Sequence, residues 1–169
     1  MLGAAVSIPV ALTLDPGLAL GAAWWGMTGG GFPDWFDLRS EFRRSLRLRH
    51  RGASHGLPFA LATTAALYLA LTLLTRTPFV PFGIDLTVPD PAIRPWTVAY
   101  ALGILSHLVA DAWTHAGIRP LLPFSSLRVW VVPKLLRGTS NGPLDFIARY
   151  LAMTAILAGL LAYLWLHAA

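Results

Sequence analysis

From Leu57 to Thr75, and again from Tyr150 to Leu166, no residue carries a charge. Runs of this length approach the roughly 20 residues that a helix needs to cross the hydrocarbon of a bilayer. Lipid offers the backbone no hydrogen bonds, so such a chain must form a helix bundle or a closed barrel, and the abundance of Leu and Ala selects helices. The rest of the chain agrees: 56% of its 169 residues are hydrophobic, 12% are charged, and the mean hydropathy is +0.60, too apolar for an ordinary soluble domain. There is no cysteine. A disulfide framework and a thiolate zinc site are therefore excluded, and any metal must be held by imidazole and carboxylate.

Breaks in the apolar pattern divide the chain into elements of one membrane-embedded domain over residues 1–169. Met1 to Val10 carries no Lys or Arg, so it lacks the basic segment of a signal peptide and reads as part of the mature fold. Asp15-Pro16-Gly17 splits the first apolar stretch into a helical hairpin, residues 3–14 and 18–31, which Gly29-Gly30-Gly31-Phe32-Pro33 ends. A basic loop over 34–53 follows. Ser54 is placed to cap a helix over 54–75, with Pro58 in its first turn. Pro95, at a first helical position, opens a helix over 95–116 that Gly117 closes. Residues 118–142 are too polar and Pro-broken to span and read as interfacial. Pro143 starts a last helix over 143–167, with Asp145 near its positive N-terminus. The expected fold class is an all-α integral membrane protein, a bundle of four to five transmembrane or half-spanning helices with an N-terminal helical hairpin.

Alternation of these helices puts loops 34–53 and 118–142 on one side of the membrane. Of the 13 Lys and Arg residues, all but Arg76 and Arg94 sit in or beside those two loops. Such a bias marks the cytoplasmic side. The net charge of +5 is thereby explained by topology and contact with membrane lipids, and nucleic acid is the least favoured partner.

Three short stretches gather His and Asp on that same side: Pro33 to Asp37, His50 to His55, and Ser106 to Asp111. His107 and Asp111 are four apart and share a helix face, which Thr114 and His115 continue. With the helix ending at Ala116, Asp111 would lie about 8 Å and His107 about 14 Å from that end. An ionised Asp in a membrane helix needs a compensating group, and a divalent cation supplies one. Imidazole and carboxylate without thiolate suit zinc, with manganese or iron as alternatives, and leave room for an activated water. Plainer roles exist for single residues: Asp34 and Asp37 suit a Pro-Asp turn, His50 a basic loop, and His107 with Asp111 a buried hydrogen bond between helices.

The motifs resemble those of the YdjM-type family of predicted inner-membrane, metal-dependent hydrolases. That pattern, Pro-Asp-x-x-Asp or His, then His-Arg-Gly-x-Ser/Thr-His, then Ser-His-x-x-x-Asp-x-x-Thr before a Gly and a Pro-Phe, is similar to Pro33 to Asp37, His50 to His55, and Ser106 to Thr114 with Gly117, Pro123 and Phe124. The resemblance implies a metal-binding set of Asp34, Asp37, His50, His55, His107 and Asp111, with Asp145 standing where members tend to carry Glu. No His precedes His50, where members often have one. The implied reaction is hydrolysis. A phosphoester or similar anionic substrate at the lipid–water boundary would suit Arg51, whose guanidinium pairs with such groups at two points, and Asp37 would assist catalysis or bridge a second ion. The competing expectation is a membrane scaffold or small transporter with a structural His/Asp site. The metal's identity and the oligomeric state do not follow from the sequence.

Overall fold

Five α-helices make up the regular structure of the described residues, which in this computed structural model are 1–35, 52–77, 80, 87–139 and 142–167. They are α1 (Leu2–Ala11), α2 (Pro16–Trp35), α3 (Leu57–Arg76), α4 (Asp90–Trp113) and α5 (Pro143–His167). A 3-10 turn, Ala53–His55, precedes α3, and another, Lys134–Leu136, precedes α5. No strand occurs among the described residues; two isolated bridges, Thr114 with Gly138 and Ile118 with Val129, brace the segment between α4 and α5. Two helices, α3 and α5, are long and apolar enough to cross a membrane.

α5 has the predicted limits, with Pro143 opening it and Asp145 in its first turn. Ends of the other helices move. α3 starts at Leu57 because Gly56 is its N-cap; Ser54 lies earlier, in the 3-10 turn, and caps nothing. α4 begins at Asp90, with extended Pro89 as its N-cap, Pro91 in the first turn and Pro95 inside the helix at the loss of one backbone bond. It ends at Trp113, where Thr114 turns extended. α2 does not stop at Gly31 but continues through Phe32 and Pro33 to Trp35.

Packing explains the last of these differences. α1, α2 and α4 form the core of the molecule, α3 lies against α4, and α5 lies against α1. Between the first three the backbones touch. A Cβ at Gly3 of α1 or Gly103 of α4 would collide with the carbonyl oxygen of Gly26 of α2, and one at Gly29 with that of Tyr100. A glycine run that weakens an isolated helix is here the surface that lets two neighbours approach, the usual role of small residues between membrane helices. Alongside, Tyr100, Ile104 and Leu108 of α4 pack with Ala60 of α3, flanked by Trp25, Phe32 and Ile118. The far end is tied by Trp96 Nε1 donating to Leu18 O at 2.9 Å and Tyr163 OH donating to Leu14 O at 3.0 Å.

Beyond α4 the chain turns at Gly117, whose φ of +64° favours glycine and whose missing side chain leaves room for the Trp130 ring. Ile118 and Val129 then exchange backbone bonds of 3.1 and 2.8 Å. Leu57 N donates to Pro120 O at 2.7 Å, which fastens this segment to the start of α3.

Candidate metal centre

Three separate elements deliver side chains to one end of the α2–α4 pair. Asp34 comes from the last turn of α2, His55 from the end of the 3-10 turn, and His107 with Asp111 from one face of α4. Asp34 reaches this position because α2 runs past its glycines. Gly30 and Gly103 each lie four residues before a donor, Asp34 and His107, and a Cβ at Gly103 would stand 2.8 Å from Gly30 N. The close helix contact therefore sets the α2–α4 spacing one turn behind the site. His55 is held by its own turn, with His55 N donating to Gly52 O and Gly56 N to Ala53 O, each at 3.1 Å.

The donor atoms converge. His55 Nε2 lies 3.2 Å from His107 Nε2, 3.4 Å from Asp34 Oδ1 and 3.4 Å from Asp111 Oδ2. His107 Nε2 lies 3.6 Å from each of the same two oxygens. Asp34, His55 and His107 offer ligand atoms all within 4.8 Å of one another and could hold a metal ion. Donors spaced tetrahedrally about 2.0–2.1 Å from a zinc ion stand roughly 3.3–3.4 Å apart, and the five separations bracket that value. Directly bonded imidazolium–carboxylate pairs would close to about 2.7–2.9 Å. The carboxylate oxygens thus stand beyond close charge-assisted contact with the imidazoles, while the two Nε2 atoms lie within hydrogen-bond reach of one another.

Burial is uneven around the group. The side chain of His55 is 1% exposed, Asp111 13%, His107 15% and Asp34 58%. The inner wall is closed and the Asp34 side is open. Since α4 ends at Trp113, Asp111 lies about 3 Å and His107 about 9 Å from its end, shallower than the sequence suggested.

Asp145 and His115 have other partners. Asp145 Oδ2 accepts a hydrogen bond from Arg149 at 2.8 Å, four residues on in α5, and does not join the Asp34, His55 and His107 group. His115 follows the end of α4, and its Nδ1 lies 2.8 Å from Gly138 O. Asp37, His50 and Arg51 lie outside the described residues. Ser54 went unnoticed as a site residue: it is 5% exposed, and its Oγ lies 3.1 Å from His55 Nδ1. Its place directly before a His was the available signal.

A family model described as the YdjM inner membrane protein matches residues 1–168. The chain belongs to the YdjM inner membrane protein family. No curated protein and no solved structure matches it. The YdjM match takes in all five helices and every donor of the cluster, so the likeness first carried by three short motifs extends over essentially the whole chain. It also accounts for two apolar helices of spanning length in so short a protein.

Proposed function

We propose that this YdjM-family protein is a multi-pass inner-membrane hydrolase that uses a divalent ion, zinc before manganese or iron, to cleave a phosphoester or similar anionic substrate at the cytoplasmic membrane face. The observation that carries the proposal is the convergence, from three elements, of two imidazole nitrogens 3.2 Å apart with carboxylate oxygens of Asp34 and Asp111 each 3.4–3.6 Å from them. When bound, a divalent ion supplies Lewis acidity and a water acidic enough to attack near neutral pH. The side chains divide the remaining work. Buried His55 and partly buried Asp111 hold the inner wall, and the two carboxylates would offset the ion's charge so that an anionic substrate is not bound too tightly to leave. Asp34, on the open side, faces incoming water and substrate. Purified protein is expected to hydrolyse bis(p-nitrophenyl) phosphate, to lose that activity to a chelator, to regain it with zinc, and to fall to background in His107→Ala. Hydrolysis that survives both the chelator and the substitution would overturn the assignment.

Ion conduction suits the chain less well. No Asp, Glu, His, Lys or Arg occurs in 16–33, 57–75 or 95–106, so no carboxylate, imidazole or basic side chain comes from the middle of α2, α3 or α4. Transport sites need polar groups near the midplane.

The membrane arrangement rests on the surface of the helices. α5 buries only Ala152, and leaves Leu157, Leu161 and Trp165 exposed; α3 leaves Leu61, Leu69 and Leu73 exposed. Such faces are costly in water and neutral in lipid. The segment 118–137 adds Arg119, Arg128, Lys134 and Arg137 to exposed Phe124, Leu127 and Leu135, with no acidic residue, a composition suited to anionic headgroups. The cysteine-free sequence allows a direct check. In membrane vesicles, an impermeant maleimide is expected to label Val80→Cys only when the vesicles are right-side-out and Leu135→Cys only when they are inverted. The opposite pattern would reverse the orientation.

A further inference from the structure

A neutral imidazole carries one proton on one of two nitrogens, and only the bare nitrogen can bind a metal. In His55 the two nitrogens face different surroundings. Nε2 faces His107 Nε2, Asp34 Oδ1 and Asp111 Oδ2 at 3.2–3.4 Å, while Nδ1 faces Ser54 Oγ at 3.1 Å. Both residues are almost fully buried, at 1% and 5% exposure, so bulk water does not substitute for the hydroxyl. The turn carrying them is clamped from outside, since Leu57 N bonds to Pro120 O at 2.7 Å and a Cβ at Gly56 would stand 2.8 Å from Leu122 O.

We propose that Ser54 is a positioning residue: its Oγ accepts the proton of His55 Nδ1–H and so holds the tautomer whose lone pair on Nε2 points at the shared ion position. A proton on Nε2 would instead fill that position. Outer partners of this kind orient a metal-binding His and raise its basicity. The inference rests on the metal reading given above and adds to it a group that touches no ion.

Two measurements test it on the full-length protein in detergent. Zinc affinity, by competition with a chromogenic chelator, is expected to fall about 10- to 100-fold in Ser54→Ala and to stay within about threefold of wild type in Ser54→Thr, which keeps the hydroxyl. Nitrogen-15 NMR of the zinc-loaded wild type is expected to show His55 protonated at Nδ1 and metal-bound at Nε2. Unchanged affinity in Ser54→Ala or equal losses in both variants would overturn the role of Ser54 while leaving the metal site standing, and a proton on Nε2 would overturn it together with His55 Nε2 as a donor. A wild type that binds no zinc would instead overturn the site itself, and the role of Ser54 with it. The NMR result needs no variant, so a misfolded Ser54→Ala leaves the test intact.

Discussion

Wild-type protein purified without chelator is expected to carry about one equivalent of a transition metal, and His55→Ala or His107→Ala to carry none. Each substitution removes one of the two imidazole nitrogens and leaves the other alone with the Asp34 and Asp111 oxygens. Outer-shell changes alone cost about 10- to 100-fold in metal affinity, so loss of a direct donor is expected to exceed about 100-fold. Asp145→Ala is the informative companion. Its carboxylate is engaged by Arg149, so this variant is expected to keep its metal, against the role implied for it by resemblance. Equal metal content in wild type, His55→Ala and His107→Ala would remove the centre altogether, and loss in Asp145→Ala would bring that residue into it.

The second large effect lies one turn below the donors. Gly103→Ala and Gly29→Ala each put a methyl group onto a neighbouring backbone carbonyl, Gly26 O and Tyr100 O respectively. A crowded side chain can change rotamer; a helix backbone cannot. Overpacking of this sort costs about 1–3 kcal/mol, and the upper end is expected here because whole helices must separate. Gly31→Ala is the control. It lies in the same glycine run of α2 but has open space around it, so it is expected to be neutral or to stabilise by up to about 1 kcal/mol through helix propensity. Thermal unfolding in detergent reads all three. Zinc affinity should weaken in Gly103→Ala as well, since His107 follows it by one turn. Equal stability of the Gly103 and Gly31 variants would sink this account of the core.

What was legible in the sequence follows the kind of physics involved. The limits of α5, and most of α3, could be read from apolar run length and a starting proline because lipid-length helices depend little on their neighbours. The end of α2 could not. Gly29 to Pro33 resembles a stop signal in isolation, and only the structure, with Gly29 packed on α4 and Gly30 on α1, shows the helix running on through Pro33 to Trp35. The start of α4 was misplaced because Pro91 and Pro95 both suit a first turn. At the site, Asp34, His55, His107 and Asp111 were identified as candidates, and alternation of helices put them at one end. Their mutual distances, the separate pairing of Asp145 with Arg149, and the turn from Ser54 toward His55 depend on side-chain directions that spacing does not encode.

The proposed donors are also far apart along the chain, and this would tie folding to the supply of the proposed ion. Asp34, His55 and His107 come together only once α2, the 3-10 turn and α4 have assembled. In the unfolded chain only His107 and Asp111 are near neighbours, so an ion has little reason to prefer that state. Binding would therefore be felt almost wholly as native-state stability, about 2.7 kcal/mol at a free ion concentration 100 times the dissociation constant. Starved of the ion, the α2–α4 end would be the first part of the bundle to loosen, so protease sensitivity there would report cellular metal status.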